Sequence, residues 1–301
     1  MDKLKAMQIA VEIADGGSLT AAAERLDLSL PAVVRTLAAL EAQLGVRLFN
    51  RTTRRLSMTD EGRQYVENGR RILADVADVE TLLVSGAVEP SGLITVTAPV
   101  MFGTLHVAPA VTRFVQQYEK MRVSLQLHDR VVNLLDEHID MGIRIGELED
   151  QSLVARAVGN LRRVVVASPD WLRRHGVPAN PRDLLAHSCV CFTRSTASWW
   201  HFTEGGETFS VPVSGRLEFN QIAPAVDACV AGQGPGMFIS YQVADALARG
   251  ELRVLLEEFE LPPMPVHVVY PHARLLPART RAFIDWITRE LREQHHDGMA
   301  C

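Results

Sequence analysis

The sequence predicts a mixed α/β protein in which a small helical domain precedes a larger α/β domain. Residues 18–62 have the pattern of a helix, a tight turn, a second helix and a basic hairpin, which is typical of a winged helix-turn-helix. From Gly92 onward, apolar segments of strand length alternate with helical patterns, which indicates open α/β sheets. A chain of 301 residues is long enough for two or three hydrophobic cores.

The overall charge of −5 argues against a wholly basic nucleic-acid-binding protein, but the charge is unevenly distributed. Residues 1–58 contain eight basic and six acidic side chains, a net charge of +2. The segment from Arg47 to Thr59 has four arginines and no acidic residue. This local cluster is suited to contact with a phosphate backbone.

Several classes of protein are disfavoured by the sequence. The charged start of the chain predicts no signal peptide, and the uncharged stretch Pro90–Thr112 is interrupted by prolines and glycines, so we expect a cytoplasmic protein without a membrane partner. The four cysteines, Cys189, Cys191, Cys229 and Cys301, fit neither a disulfide framework nor a zinc pattern. Two interpretations of Cys189 and Cys191 stay open, as small apolar thiols or as a redox sensor.

The first two helices are predicted by apolar spacing and by glycine and serine at their ends. An apolar stripe at 3, 4, 3 spacing is formed by Leu4, Met7, Val11 and Ala14. Gly16 and Gly17 end this helix, because the turn that follows needs positive φ. Ser18 is a suitable N-cap for a second helix that packs through Ala22 and Ala23.

The third helix is predicted to carry a recognition surface. Ser29 is placed to cap it, and Pro31 falls in its first turn. One face is apolar and predicted to pack inward: Val33, Leu37, Leu40 and Leu44. The face and first turn predicted to meet DNA comprise Ser29, Leu30, Pro31, Val34 and Arg35. The alternative is a three-helix packing unit whose arginines are merely solvated.

A basic wing is predicted to follow the third helix. Gly45 ends that helix, and the segment from Leu48 to Met58 can form a hairpin. Three arginines, Arg51, Arg54 and Arg55, fall near its tip, where they would reach DNA phosphates.

A long linker helix is predicted over residues 60–85, with Thr59 as its cap. Apolar positions and one glycine repeat at 4, 3, 4, 3, 4 spacing, as in a short coiled coil: Tyr65, Gly69, Ile72, Val76, Val79 and Leu83. The residues predicted to dimerise are Tyr65, Ile72, Val76, Val79 and Leu83; the alternative is a helix that packs only on its own domain. Residues 86–92 are predicted to be a hinge, between a DNA-binding domain at 1–59 with its linker helix and an effector-binding domain at 93–301.

The C-terminal region is predicted to contain alternating strands and helices. The strands are expected at 93–98, 123–127, 139–145, 164–167, 213–219, 236–239 and 266–270, and the helices at 104–118, 221–231, 241–249 and 278–293. The glycines between Gly232 and Gly236 follow a helix, so they predict a helix cap rather than a dinucleotide site. No nucleophile–base pair, paired carboxylates or metal-ligating pattern is present, so we expect no enzyme activity, no metal and no cofactor.

The N-terminal motifs resemble those of the LysR-type transcriptional regulators. The motifs that carry the resemblance are Ser18-Leu19-Thr20-Ala21-Ala22-Ala23, Pro31-Ala32-Val33, Leu40-Glu41, Leu44-Gly45-Val46-Arg47-Leu48-Phe49 and Arg51-Thr52-Thr53-Arg54. This chain departs from the family at Leu30 and Val34, where relatives usually carry Gln and Ser. Leu and Val offer DNA only apolar contacts, which best match a thymine methyl group.

The resemblance implies that the C-terminal domain folds like periplasmic solute-binding proteins, as two Rossmann-like lobes with an effector in the cleft. Lobe one would comprise 93–160 and 267–293, and lobe two 161–266. The effector-binding residues that it implies are Pro99, Val100, Met101, Phe102, Gly103, Arg144, Ile145, Ser195, Thr196 and Asn220. Arg144 could hold a carboxylate, or could be a structural ion-pair partner of Glu147 or Asp140.

The resemblance also implies a regulator of transcription whose partners are a small-molecule effector of unknown identity, double-stranded DNA with a pseudo-palindromic site, and a second copy of the chain. Tetramer formation and contact with RNA polymerase are further expectations from the family. Two alternatives stay open from the residues alone: an oligomeric small-molecule-binding protein without DNA function, and an enzyme built on the α/β domain.

Overall fold

The computed structural model describes residues 2–51, 56–83, 89–148, 150, 152–192, 198–272 and 276–296; for Arg51, for residues 78–83 and for His295 and His296 it describes the backbone alone. The chain divides into two compact units. The first is Met1–Leu93 with Pro277–Arg279, and the second is Ile94–Leu276 with Thr280–Cys301.

The three helices predicted at the start of the chain are present, with the expected ends. They are α1 at Lys3–Gly16, α2 at Leu19–Arg25 and α3 at Leu30–Leu44. Gly17 (φ 66°) and Gly45 (φ 72°) end α1 and α3 in the left-handed conformation, which glycine adopts without strain. The Ser18 hydroxyl caps α2, accepting the Ala21 N–H at 3.0 Å.

Two details of α3 differ from the prediction. Val33, Leu37 and Leu40 are buried in the core of the first unit, but Leu44 is 42% exposed because it lies at the last turn, beyond that core. Ser29 occupies the N-cap position, yet its side chain makes no capping hydrogen bond. The Ser29 hydroxyl is therefore not used to cap the helix.

The wing follows as an antiparallel hairpin of β1 (Phe49–Arg51) and β2 (Leu56–Met58), in which Phe49 is opposite Met58. Its tip, Thr52 to Arg55, lies outside the described residues. Helix α4 then runs over Asp60–Leu83. As predicted, Thr59 caps it, since its Oγ1 accepts the Gly62 N–H at 2.9 Å.

Helix α4 has two adjacent apolar faces rather than one continuous seam. Val66, Gly69 and Leu73 pack on the core of the first unit, and a Cβ at position 69 would lie 2.9 Å from Met7 Cγ on α1. Gly69 therefore belongs to an intramolecular contact and not to the predicted seam. Ile72, by contrast, is 43% exposed on the neighbouring face.

The second unit contains two five-stranded sheets, which define two lobes. In lobe one the strand order is β4-β3-β5-β14-β6, with β3 parallel to β5 and β14 antiparallel to both of its neighbours. Its strands are β3 at Gly92–Ala98, β4 at Met121–Leu127, β5 at Met141–Ile145, β6 at Leu153–Leu161 and β14 at Met264–Pro271.

In lobe two the strand order is β11-β8-β12-β7-β13, and a separate antiparallel hairpin, β9–β10, packs beside it. Its strands are β7 at Arg163–Ala167, β8 at Val190–Phe192, β9 at Ser198–Glu204, β10 at Glu207–Val213, β11 at Leu217–Phe219, β12 at Gly236–Ile239 and β13 at Arg253–Leu255. The single strand predicted at 213–219 is therefore wrong. The predicted strand is interrupted around Gly215, between the end of β10 and the start of β11. A Cβ at position 215 would lie 1.6 Å from the Cys189 carbonyl oxygen.

The helices of the second unit cover both sheets. They are α5 at Val100–Phe102, α6 at Ala108–Gln117, α7 at Pro169–His175, α8 at Ile222–Val230, α9 at Ser240–Ala248 and α10 at Ala278–His296. A π-helical turn, Gly103–Val107, joins α5 to α6. The two-lobed mixed α/β fold with an N-terminal winged helix-turn-helix is thus confirmed.

Two kinds of feature are absent from the described residues. No helix among them is long and apolar enough to cross a membrane. Nor do they contain a group of three or more His, Cys, Asp or Glu side chains that could hold a metal ion.

Two glycines of α4 allow a matched test of its packing. A Cβ at position 62 would lie 2.0 Å from the Leu48 carbonyl oxygen, whereas at position 69 the nearest atom belongs to the flexible Met7 side chain. We expect Gly62→Ala to lower the free energy of unfolding by about 1–3 kcal/mol, because the backbone at Leu48 must move to make room for the added Cβ. Gly69→Ala should cost less, since alanine also favours the helix by about 0.5–1 kcal/mol. Urea unfolding of both variants checks this; equal effects would contradict it.

Candidate nucleic-acid interface and ligand cavity

The first turn of α3 presents the predicted recognition surface to solvent. Ser29, Pro31 and Arg35 are exposed, Leu30 is 41% exposed, and Val34 is partly buried. None of these residues belongs to the core of the first unit, which α3 joins through its opposite face. A helix can enter a major groove when one of its faces is exposed and the side chains at its N-terminus are small or apolar. That these residues contact DNA stays a prediction.

The wing is fixed to α3 by a carboxylate. Glu41 of α3 accepts the backbone N–H groups of Leu48 at 2.8 Å and Phe49 at 3.1 Å, at the start of β1. Hydrogen bonds to a charged acceptor are stronger than neutral ones, so they hold the hairpin at a set position beside the helix. Of the predicted wing residues, Arg54 and Arg55 lie outside the described residues, as does the Arg51 side chain.

The predicted dimerisation stripe is partly described. Tyr65 and Val76 are partly buried and Ile72 is among the large exposed hydrophobic residues of the first unit. Burial raises the pKa of the Tyr65 hydroxyl, as expected beside apolar neighbours. The side chains of Val79 and Leu83 lie outside the described residues.

A cavity of about 220 Å³ lies between the two lobes of the second unit. Lobe one contributes Pro99, Met101, Arg144 and Ile145, all of them predicted effector residues. Lobe two contributes Phe192, Ile222, Ile239, Tyr241 and Gln242. The lining is largely apolar with a few polar groups, which is typical of a small-molecule site.

Arg144 brings a positive charge to this cavity. Its guanidinium donates to the Val132 carbonyl, and burial lowers its pKa while the charge of Glu137 raises it. Neither of the proposed ion pairs with Glu147 or Asp140 is found; the Asp140 carboxylate accepts the Thr95 N–H at 2.7 Å instead. Among the described residues Arg144 has no carboxylate within ion-pair distance, so a charge facing the cavity is available to a ligand.

Several predicted effector residues lie elsewhere. Phe102 is fully buried in the core of lobe one, and Gly103 packs so tightly that a Cβ would lie 2.2 Å from Leu127 Cδ2. The Val100 N–H already donates to Asp129 Oδ1 at 3.0 Å. Asn220 is exposed and does not line the cavity. Ser195 and Thr196 lie outside the described residues.

Tyr241 was missed by sequence reasoning although it joins the two lobes at the cavity. It starts α9 of lobe two but is buried in the core of lobe one, with its ring 5.2 Å from Phe102 and 5.7 Å from His106, edge to face. Burial raises the pKa of Tyr241 to about 12, so its hydroxyl stays protonated. Gln242 Nε2 donates to that hydroxyl at 3.2 Å.

A second group of cavity residues was also missed: His128, Asp129, Arg130 and Val131. They follow β4, so the rule that ligands lie beyond the carboxyl ends of strands could have found them. The Arg130 guanidinium forms a bidentate pair with Glu137, at 2.6 and 2.7 Å. Val131 is 85% exposed at the rim.

The cysteines of lobe two are buried thiols. Burial raises the pKa of Cys189 and of Cys229 to about 12, and that of Cys191 in the same direction. These thiols are protonated at neutral pH, whereas reactive cysteines are thiolates. Cys301 lies outside the described residues.

Comparison with known families matches both parts of the chain. Residues 4–63 match the family model "Bacterial regulatory helix-turn-helix protein, lysR family", and residues 87–292 match "LysR substrate binding domain". An HTH-type transcriptional repressor of Pseudomonas aeruginosa is 33% identical over 95% of this chain and 92% of its own length. The regulator CrgA of Neisseria meningitidis is 32% identical over 95% of this chain and 96% of its own.

Solved structures agree. CrgA, a LysR-type transcriptional regulator from Neisseria meningitidis, superposes with a TM-score of 0.60 at 32% identity, covering 95% of this chain and 98% of that one. The full-length virulence activator AphB of Vibrio cholerae gives a TM-score of 0.60 at 25% identity, with coverage of 95% and 98%.

The exposed leucines at the two ends of α3 test base reading. Leu30→Gln should alter the bases selected near the first turn of α3, because an amide hydrogen-bonds base edges while leucine offers only apolar contact. Leu44→Gln is the control, since Leu44 is equally exposed at the far end of the helix. Binding-site selection from random duplexes measures both. The same motif from wild type and Leu30→Gln would show that Leu30 does not read sequence.

Proposed function

The chain belongs to the family of LysR-type transcriptional regulators, and on that premise we propose how its surfaces divide the binding of DNA, effector and a second copy of the chain. It is a DNA-binding transcriptional regulator with a small-molecule effector domain, and not an enzyme. The observation that carries the proposal for DNA is the exposed first turn of α3 beside a wing anchored by Glu41.

In this proposal α3 enters the major groove through Ser29, Leu30, Pro31, Val34 and Arg35, and the wing arginines Arg51, Arg54 and Arg55 contact phosphates or the minor groove. Leu30 and Val34 select thymine by its methyl group, while Arg35 supplies the polar contact. A gel-shift experiment with salt titration tests this. Affinity that does not fall with salt would contradict phosphate contact by the wing.

We propose that the effector is a small anion with an apolar body, bound in the cavity between the lobes without any cofactor. Arg144 supplies the charge, and Met101, Ile145 and Phe192 supply apolar contact. The size of about 220 Å³ supports a compact molecule rather than a nucleotide. Effector binding would change transcription by favouring one arrangement of the lobes over another.

The assembly that we propose is a two-fold dimer paired through the apolar stripe of α4, which would read a pseudo-palindromic site in the cytoplasm. Formation of oligomers is what the likeness to LysR-type regulators implies. The exposure of Ile72 supports the choice of stripe. Tetramer formation and contact with RNA polymerase are proposals that rest on the family alone.

Acidic residues on the stripe should separate the dimer. Ile72→Asp with Val76→Asp places like charges opposite each other in an apolar seam, so we expect monomers in sedimentation experiments and weaker DNA binding. Gln64→Asp with Ala77→Asp is the matched control, because it adds two acidic side chains at exposed positions of the same helix. A dimer of unchanged affinity in the stripe variant would place the interface elsewhere.

Arg144→Ala should abolish the response to anionic effectors and leave the DNA affinity of the unliganded protein unchanged. A thermal-shift screen of small carboxylates on the full chain, followed by calorimetry, measures the loss. Arg249→Ala is the control, since Arg249 is exposed on lobe two and pairs with Glu251 at 2.9 Å. Equal binding by Arg144→Ala would mean that the effector charge is held by another group or is absent.

A further inference from the structure

Lobe two has a second cavity, of about 240 Å³, away from the cleft between the lobes. It is bounded by the last turn of α7, by the residues before β8 and by the turn after α8. None of its lining residues lines the cleft cavity. It is therefore a separate surface of the domain.

Its chemistry is cationic and aromatic. Arg174, His175 and His187 line it, and the two imidazoles pack on the buried ring of Trp171, each with its centroid 4.9 Å from that of the indole. The imidazole centroids are 6.0 Å apart. Among the described residues that line this cavity, none is acidic.

The Arg174 guanidinium is held in place by backbone oxygens rather than by a carboxylate. Its Nη2 donates to the Gly232 carbonyl at 2.9 Å and its Nε to the Asp170 carbonyl at 3.3 Å. Gly232 (φ 72°) matters here, because a Cβ at this position would lie 2.8 Å from Arg174 Nη2. The nearby Asp170 carboxylate pairs with Arg173, outside the cavity.

Neutral donors complete the lining. Ser188 Oγ accepts the Arg216 N–H at 3.2 Å, so its own proton can be donated to a ligand. The Gln233 side chain is exposed at the same cavity and adds an amide donor. Guanidinium, imidazole, hydroxyl and amide N–H or O–H groups together match an oxyanion.

We propose that this cavity is a second ligand site that binds a small oxyanion, a phosphate or a carboxylate, through Arg174, His175, His187 and Ser188. A metal ion is disfavoured because a guanidinium that stays charged lies in the same cavity. A phosphate group fits the set of donors as a compact acceptor with several oxygens. The indole floor and the two imidazoles offer a flat apolar wall to the remainder of the ligand.

The site is connected to the effector cleft through two continuous elements. Ile222, at the first turn of α8, lines the cleft, and Gly232 follows the end of the same helix in the second cavity. Likewise Phe192 ends β8 at the cleft, and Ser188 precedes β8 at the second cavity. A ligand at one end can therefore bias the other, and any such coupling is reciprocal.

The experiment titrates the full chain with inorganic phosphate and, separately, with acetate, at constant ionic strength set with chloride. Calorimetry gives the affinity for each anion, so the two arms distinguish a phosphate site from a carboxylate site. We expect saturable binding of at least one anion, weakened tenfold or more by His175→Gln with His187→Gln. His201→Gln, an exposed histidine of the same lobe outside both cavities, should bind as wild type does.

Arg144→Ala distinguishes the second site from the cleft. It should lose the anion binding proposed for the cleft and retain the binding at the second cavity, because Arg144 lines the cleft and not the second cavity. Binding lost in Arg144→Ala but kept in the double histidine variant would overturn the proposal, as would the absence of saturable binding of either anion. The titration needs neither DNA nor effector, so its failure is separate from a failure of the proposed regulatory function.

Discussion

Tyr241 belongs to a helix of lobe two, yet its ring is buried in the hydrophobic core of lobe one against Phe102 and His106. The cavity lies beside this contact, so the Tyr241 ring both joins the two lobes and lines the cavity. His106 supports it from the π-helical turn, with Nδ1 3.1 Å from Gln294 Oε1, and burial lowers its pKa. Aromatic pairs of this kind contribute about 0.5–1.5 kcal/mol beyond the area that they bury. A ligand that shifts the Tyr241 ring therefore acts directly on the junction of the lobes.

The first unit depends in a similar way on a few polar contacts. Glu41 fixes the start of the wing to α3, and Thr59 Oγ1 donates to the Arg47 carbonyl at 2.7 Å while capping α4. Helix α3, the wing and α4 thus meet within one short stretch of chain. The recognition surface and the base of the linker helix are consequently held as one body, and a change in the direction of α4 would move the recognition surface with it.

The sequence predicted what is determined locally. Gly17, Gly45 and Ser18 mark helix ends through backbone conformation and capping, and their neighbours alone decide those roles. The interruption of the predicted strand at Gly215 could not be predicted, because the close contact at this glycine is with the carbonyl of Cys189, which is distant in sequence. Sequence likeness selected Arg144 and Met101, which line the cavity, and also Phe102 and Gly103, which pack in the core behind it. Tyr241 was not predicted from the sequence. It reaches the site because the start of α9, a helix of lobe two, packs against the core of lobe one.

The size of the cavity limits how an effector can act. Moving a two-state equilibrium from 1:99 to 99:1 needs about 5.5 kcal/mol of differential binding. A ligand of about ten non-hydrogen atoms, at roughly 0.3–1.5 kcal/mol per atom, binds with a total of about 3–15 kcal/mol. Much of that energy must therefore differ between the two arrangements. Contacts with Arg144, Met101 and Ile145 alone all come from lobe one, and they would be equal in any arrangement that moves the lobes as rigid bodies. A ligand discriminates between arrangements only if it also touches lobe two, as at Phe192 or Tyr241. For the anionic effector proposed above, the contacts with lobe two would therefore carry the signal, while the charge held by Arg144 would contribute affinity.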